Sequence, residues 1–158
     1  MPASATPKVD FYVLPATEPR ARLKFACGLA EQAFLEDLRV FVWLDDVAAL
    51  RSFDDLLWSF SDRAFVPHEI FTDAGQWQDT PVLLGCEVQP QEGFDLLLNL
   101  GNEVPAAAAR AGRIAEIVDA QEPQRSAGRN RFRHYRDLGL APETHHVAAE
   151  GAPKSAGP

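Results

Sequence analysis

Short runs of apolar residues alternate along the chain with stretches in which apolar residues recur every three to four positions. Val9-Asp10-Phe11-Tyr12-Val13-Leu14 predicts a first strand, closed by Pro15 and Pro19. From about Arg20 to Leu38 the period is helical, with Leu23, Ala26, Cys27, Ala30, Ala33 and Phe34 on one stripe. Val40-Phe41-Val42-Trp43-Leu44 is continuous in apolar residues, as in strands that helices cover on both faces. Asp45 or Asp46 can cap a second helix, Val47 to Phe60.

Pro67 marks a turn, and residues 70–81 read as a loop. Pro81 to Gly85 and Phe94 to Leu100 predict two more strands, a short helix covers Ala106 to Ala111, and Ile114 to Val118 is the last strand. An arginine-rich helix follows. After Ala148 the composition is that of a disordered tail. Strands alternating with helices predict an α/β fold, a Rossmann-like three-layer sandwich with a mainly parallel central sheet. The expected organisation is a flexible tail over 1–8, one domain over 9–140 and a flexible tail over 141–158.

Charge changes this picture at one place. The chain has a formal charge of -8, yet the segment from Arg125 to Arg136 carries arginines and no carboxylate. On a helix, Arg125, Arg129 and Arg133 fall at i, i+4 and i+8, with Arg136 beside them and Phe132 at the border of an apolar face holding Tyr135 and Leu138. Guanidinium forks beside a phenyl ring suit a ligand with both a carboxylate and an apolar group, such as a peptide C-terminus. A solvated helix face anchored by its aromatic residues has the same spacing. Arg131 falls on the apolar side, where a carboxylate beneath the helix would pair with it. A local basic stripe on an acidic chain argues against broad attraction to a nucleic-acid backbone.

With 46% hydrophobic residues the chain has material for a core without metal or disulfide. Cys27 and Cys86 are far apart and read as buried free thiols of a reducing compartment. With no targeting pattern and no apolar run long enough for a membrane span, a cytoplasmic location is expected.

Catalytic patterns are sparse. Leu14 to Pro19 stands where a glycine-rich dinucleotide loop would follow the first strand, and no phosphate-binding loop is present. Asp54 and Asp55 read as solvated helix acids. Asp45-Asp46, at a strand's carboxyl end, is explained by helix capping, but also leaves open a nucleotide-binding or enzymatic site near Asp45. His68 has no evident base or metal partner and reads as a turn or core-edge histidine. His145-His146 stands near the tail without further ligands. No catalytic residue, cofactor or metal is expected. Around Trp58, aromatic residues exceed what one helical stripe can bury. Either Trp58 and Phe65 form an exposed patch for a protein contact, or Trp58 lies under the loop carrying Phe71 and Trp77. Direct binding of single-stranded DNA through the arginines and Phe132 is a further option, opposed by net charge and the stripe's short reach.

Leu56-Leu57-Trp58, Phe65-Val66-Pro67-His68, Pro81-Val82-Leu83-Leu84, Asn99-Leu100-Gly101, Glu116-Ile117-Val118-Asp119 and Arg131-Phe132-Arg133-His134-Tyr135-Arg136 occur in this order. With them the chain, from about Val9 to Gly139, resembles the chi subunit of bacterial DNA polymerase III holoenzyme. The resemblance implies a Rossmann-like fold without nucleotide chemistry and a non-catalytic role in DNA replication. It implies pairing with the psi subunit, and through psi with the clamp loader. It also implies binding of the acidic C-terminal tail of single-stranded DNA-binding protein (SSB). On the matched motifs, Arg125, Arg129, Phe132 and Arg133 are candidates for the tail. Phe132 stands where a tyrosine is familiar, keeping the ring and losing its hydroxyl. Trp58, Phe65 and Pro67 are the candidates for psi.

Overall fold

A computed structural model describes residues 6–60 and 65–148. The strands are β1 (Lys8–Val13), β2 (Val40–Trp43), β3 (His68–Ile70), β4 (Val82–Gly85), β5 (Phe94–Asn99), β6 (Ala111–Val118) and β7 (Glu143–His146). They form one sheet in the order β3-β4-β2-β5-β6-β1-β7. Every ladder in it is parallel. The helices are α1 (Pro19–Leu35), α2 (Val47–Ser59) and α3 (Gln124–Asp137), with 3-10 turns at Ala74–Gln78 and Ala106–Arg110.

Strand order decides which face each connection covers. β1 to β2 and β2 to β3 both step toward the β3 edge, whereas β6 to β7 steps the other way. Right-handed crossovers then put α1 and α2 on one face and α3 on the other. The two core clusters follow this division. Ala26, Cys27, Ala30 and Ala33 of α1 join Leu50, Phe53, Leu56 and Leu57 of α2 on one face. Tyr135 of α3 packs with Phe11, Phe41, Trp77 and Ala107 on the other. β2 lies inside the sheet, with Val40 paired to Val82 on one side and Leu96 on the other, so its apolar run is buried on both faces.

Several expectations change at their edges. α1 stops at Leu35 rather than Leu38, because Asp37 takes a left-handed conformation (φ 63°) that ends the helix. Residues 68–70, read as turn and loop, form the edge strand β3. The expected C-terminal tail loses its first part: Glu143–His146 pairs with β1, with Asp10 opposite Glu143 and Tyr12 opposite His145. Lys8, placed in the N-terminal tail, begins β1. Residues 1–5 and 149–158 of the two expected tails lie outside the described residues. Leu138, assigned to the apolar face of the arginine helix, is 61% exposed at its C-cap. Cys27 is buried and Cys86 half-buried, both as free thiols. Burial pushes the Cys27 thiol up to about 12.

Candidate functional site

α3 is fixed to the sheet by a buried polar cluster that leaves its basic face free. Glu116 on β6 is fully buried, and three donors meet it. Arg131 Nε donates to Oε1 at 2.7 Å, while Tyr135 Oη at 2.6 Å and Asn99 Nδ2 at 2.8 Å donate to Oε2. Arg131 is 2% exposed and also donates from Nη1 to the Asn102 carbonyl at 3.1 Å. The carboxylate expected beneath Arg131 is therefore Glu116. Burial, and then the Glu116 charge, push the Tyr135 hydroxyl far above its ordinary range. Gly128 lets the first half of α3 approach β6, since a Cβ there would lie 2.8 Å from Val118 Cγ2. At the other end Gly139 (φ 88°) takes the left-handed conformation that closes the helix. Its amide donates to the Arg136 carbonyl and that of Leu140 to the Tyr135 carbonyl.

On the outward face, Arg129, Phe132, Arg133, Arg136 and Asp137 line an open groove of about 430 Å³. Phe132 is half-buried, with its ring 5.1 Å from that of Phe11. Arg129 Nη2 donates to Ser126 Oγ at 3.1 Å and lies 3.8 Å from Glu122 Oε2. Arg133 Nη1 donates to Asn130 Oδ1 at 3.2 Å. Arg125 is exposed in the first turn of α3 and is not among the groove-lining residues. Three of the four residues picked out on this helix thus meet, and Arg136, from the same stripe, joins them. Ser126, and then the charges of Arg129 and Arg125, hold the Glu122 carboxyl below the usual range against the opposing effect of burial. Local chemistry favours anions here, with cationic forks beside an apolar ring.

A second surface lies on the α2 side. Trp58 is 51% and Phe65 64% exposed, with ring centroids 5.6 Å apart. This overturns the placing of Trp58 under the Phe71–Trp77 loop. Trp77 instead stacks against Phe94, 6.0 Å between centroids, in the core on the opposite face. Half-buried Pro67 stands between buried Val66 and His68. His68 is not without a partner, and Asp54 is not simply solvated. His68 Nε2 lies 2.9 Å from Asp54 Oδ1, and Nδ1 lies 2.7 Å from the Val66 carbonyl.

Residues 6–143 match the family described as DNA polymerase III chi subunit, HolC. The chain belongs to that family. It is 39% identical over 140 residues to the DNA polymerase III subunit chi of Pseudomonas aeruginosa strain PAO1, spanning 89% of this chain and 96% of that protein. It is 24% identical over 138 residues to the DNA polymerase III subunit chi of Haemophilus influenzae strain Rd, spanning 87% and 96%. The chi-family match covers both surfaces and the whole sheet up to the first residue of β7.

At the strand ends, where nucleotides bind in many α/β folds, polar side chains of this chi-family chain bond its own backbone. Arg22 is buried there, donating from Nε to the Ile117 carbonyl at 2.8 Å and from Nη2 to the Leu100 carbonyl at 3.2 Å. Asp45 Oδ1 accepts from the Asn102 amide at 2.9 Å, and Asp46 Oδ1 from the Ala49 amide at 2.8 Å, capping α2. Both carboxylates near the alternative site are thus engaged with backbone.

One cluster escaped sequence reasoning. His145 was expected near a tail without ligands, yet β7 brings it to Asp10, 2.8 Å from Oδ1. Asp10, Glu143 and His145 have ligand atoms within 4.8 Å of one another. Lys8 lies 3.5 Å from Asp10 and 3.2 Å from Glu143, and Arg113 lies 3.1 Å from Asp10, so cationic side chains already occupy the surroundings of these carboxylates. The spacing of two in β1, Lys8 and Asp10, places them on one face, but only the pairing of β7 brings the other two groups there. Among the described residues no helix is long and apolar enough to cross a membrane.

Proposed function

We propose that this chain is a non-catalytic accessory subunit of a DNA polymerase III holoenzyme in DNA replication. It links the clamp loader, through the psi subunit, to the acidic C-terminal tail of SSB. The observation that carries the proposal is the groove lined by Arg129, Arg133, Arg136 and the half-buried Phe132, together with Asp137. An acidic peptide ending in an apolar residue places its carboxylates against the guanidinium groups and its last side chain against the phenyl ring. Arg125, one turn further toward the start of α3, meets acidic residues upstream in the peptide. Phe132 contributes its ring alone, so specificity for the terminus rests on the arginines. Trp58, Phe65 and Pro67 form the psi face: two exposed rings in contact, of the kind that anchor protein interfaces. The two faces lie on opposite sides of the sheet, so both partners can bind at once. The adaptor works in the cytoplasm, without cofactor or metal, and reaches DNA only through SSB.

The deciding experiment is a pull-down with SSB of normal and tail-deleted form. Retention of the normal form alone is expected, with affinity falling steeply as salt screens the exposed charges. Equal retention of the tail-deleted form refutes the tail reading. Capture of a bare oligonucleotide in the absence of SSB refutes the claim that contact with DNA is indirect.

A further inference from the structure

Trp58, proposed above as a psi contact, is half exposed, and its indole needs neighbours that hold it in place. Trp58 sits near the end of α2, and an exposed side chain on a last helical turn has several staggered rotamers open to it. Its neighbours restrict that choice. Asp54 and Trp58 stand at i and i+4 on α2 and share a face. His68, the first residue of β3, contacts both. Its ring centroid is 4.3 Å from that of Trp58, closer than the 5.6 Å from Trp58 to Phe65.

The His68 side chain has no exposed surface, and both of its ring nitrogens face acceptors. The Val66 carbonyl can only accept, which assigns a proton to Nδ1. Nε2 lies 2.9 Å from Asp54 Oδ1, so the ring is held at both of its nitrogens. The His68 ring packs against the Trp58 indole at an interplanar angle of 45°. The Asp54 contact ties the three-residue edge strand β3, which pairs with β4 in the sheet, to α2.

We propose that the Asp54–His68 pair is the positioning device of this aromatic surface, clamping the Trp58 indole in the orientation in which it and Phe65 meet a partner protein. Asp54 and His68 do not touch the partner. They act through Trp58 by removing its freedom to rotate before binding, which lowers the entropic cost of association. The use of the surface for psi rests on the reading above, whereas the clamping of Trp58 is a property of the free protein and is tested there.

The test uses the full chain labelled with 5-fluorotryptophan, whose ¹⁹F spectrum reports Trp43, Trp58 and Trp77 separately. The Trp58 signal is assigned by its loss in Trp58→Phe. In Asp54→Ala the Trp58 resonance is expected to move toward the position of free fluorotryptophan and to gain a larger solvent-isotope shift, while Trp43 and Trp77 stay in place. Asp54→Asn keeps the size of the side chain and removes its charge. It is expected to move the same resonance in the same direction by less, and it decides the matter if the alanine variant does not fold. A Trp58 resonance unmoved by these substitutions overturns the proposal. With purified psi, affinity is expected to fall about ten-fold in Asp54→Ala. If psi binds the parent chain but binds Asp54→Ala equally well, the clamp has no role in docking and the proposal fails. If psi does not bind the parent chain at all, the psi reading fails while the fluorine result still decides whether Trp58 is clamped.

Discussion

Replacing Arg131 by leucine separates the scaffold of the basic helix from its binding face. Arg131 is 2% exposed, and its Nε bond to Glu116 is 2.7 Å long inside the sheet–helix interface. Removal of the guanidinium leaves Glu116, itself fully buried, with Tyr135 and Asn99 as donors and no hydrogen-bonded cation. Losing one member of a buried ion pair costs roughly 3–5 kcal/mol, because the remaining charge is stranded. The Asn102 carbonyl loses a donor as well. For a chain of this size 1 kcal/mol corresponds to about 2–4 °C in Tm, so a fall of roughly 6–20 °C is expected. The assay is urea and thermal unfolding followed by far-ultraviolet circular dichroism. The double variant Arg131→Leu/Glu116→Gln should recover much of the loss, since glutamine still accepts from Tyr135 and Asn99 without a stranded charge. A loss below about 1 kcal/mol in the single variant, or no recovery in the double one, would refute the view that this pair holds α3 to the sheet.

Arg129→Ala should reduce affinity for an SSB tail peptide by about ten-fold or more in a fluorescence-polarisation titration, since a charge-assisted bond contributes roughly 1.5–3 kcal/mol. Its Tm should barely change, and Arg125→Ala should have the smaller effect on binding because Arg125 is outside the groove; equal affinity of Arg129→Ala and parent removes Arg129 from the site. Trp58→Ala should abolish co-purification with psi while leaving the chain folded, because half of the indole is already in solvent; a variant that unfolds by itself makes Trp58 a core residue instead. Burial pushes the Asp10 carboxyl up, but hydrogen bonds from His145 and Arg113 and the Lys8 charge outweigh it and hold the group below its ordinary range. Asp10 therefore adds stability that is present above the unfolded value of about 3.9 and is lost as pH falls through the lower folded value. A ¹³C titration of the Asp10 carboxyl should place its midpoint below that of an exposed aspartate, and a midpoint above it would contradict the pairing.

Much of the central fold was legible because its signals are local. The apolar run of β2 and the stripe of α1 announce their burial through period and length alone. The basic stripe was legible for the same reason, since residues spaced at i, i+4 and i+8 share a helix face wherever the helix lies. β3 and β7 were not legible. β3 has three residues, too few to show a period. β7 reads Glu-Thr-His-His, a polar segment that becomes a strand only because β1 offers it an open edge. Tertiary context overrode propensity there. His68 and Asp54 looked idle for a similar reason, being fourteen positions apart and joined only when β3 docks beside the end of α2.

From its order of residues alone this chain determined an α/β sandwich, a helix with a basic face and a surplus of aromatic residues around Trp58, because spacing along a helix or strand dictates which side chains share a face. Tertiary structure decided the rest. It placed Glu116 beneath Arg131, closed Phe132 against Phe11 to shape a groove, turned Trp58 outward over His68 and drew the C-terminal segment into the sheet. Those outcomes depend on contacts between residues distant in the chain, and such contacts are set by the strand order and the handedness of its crossovers.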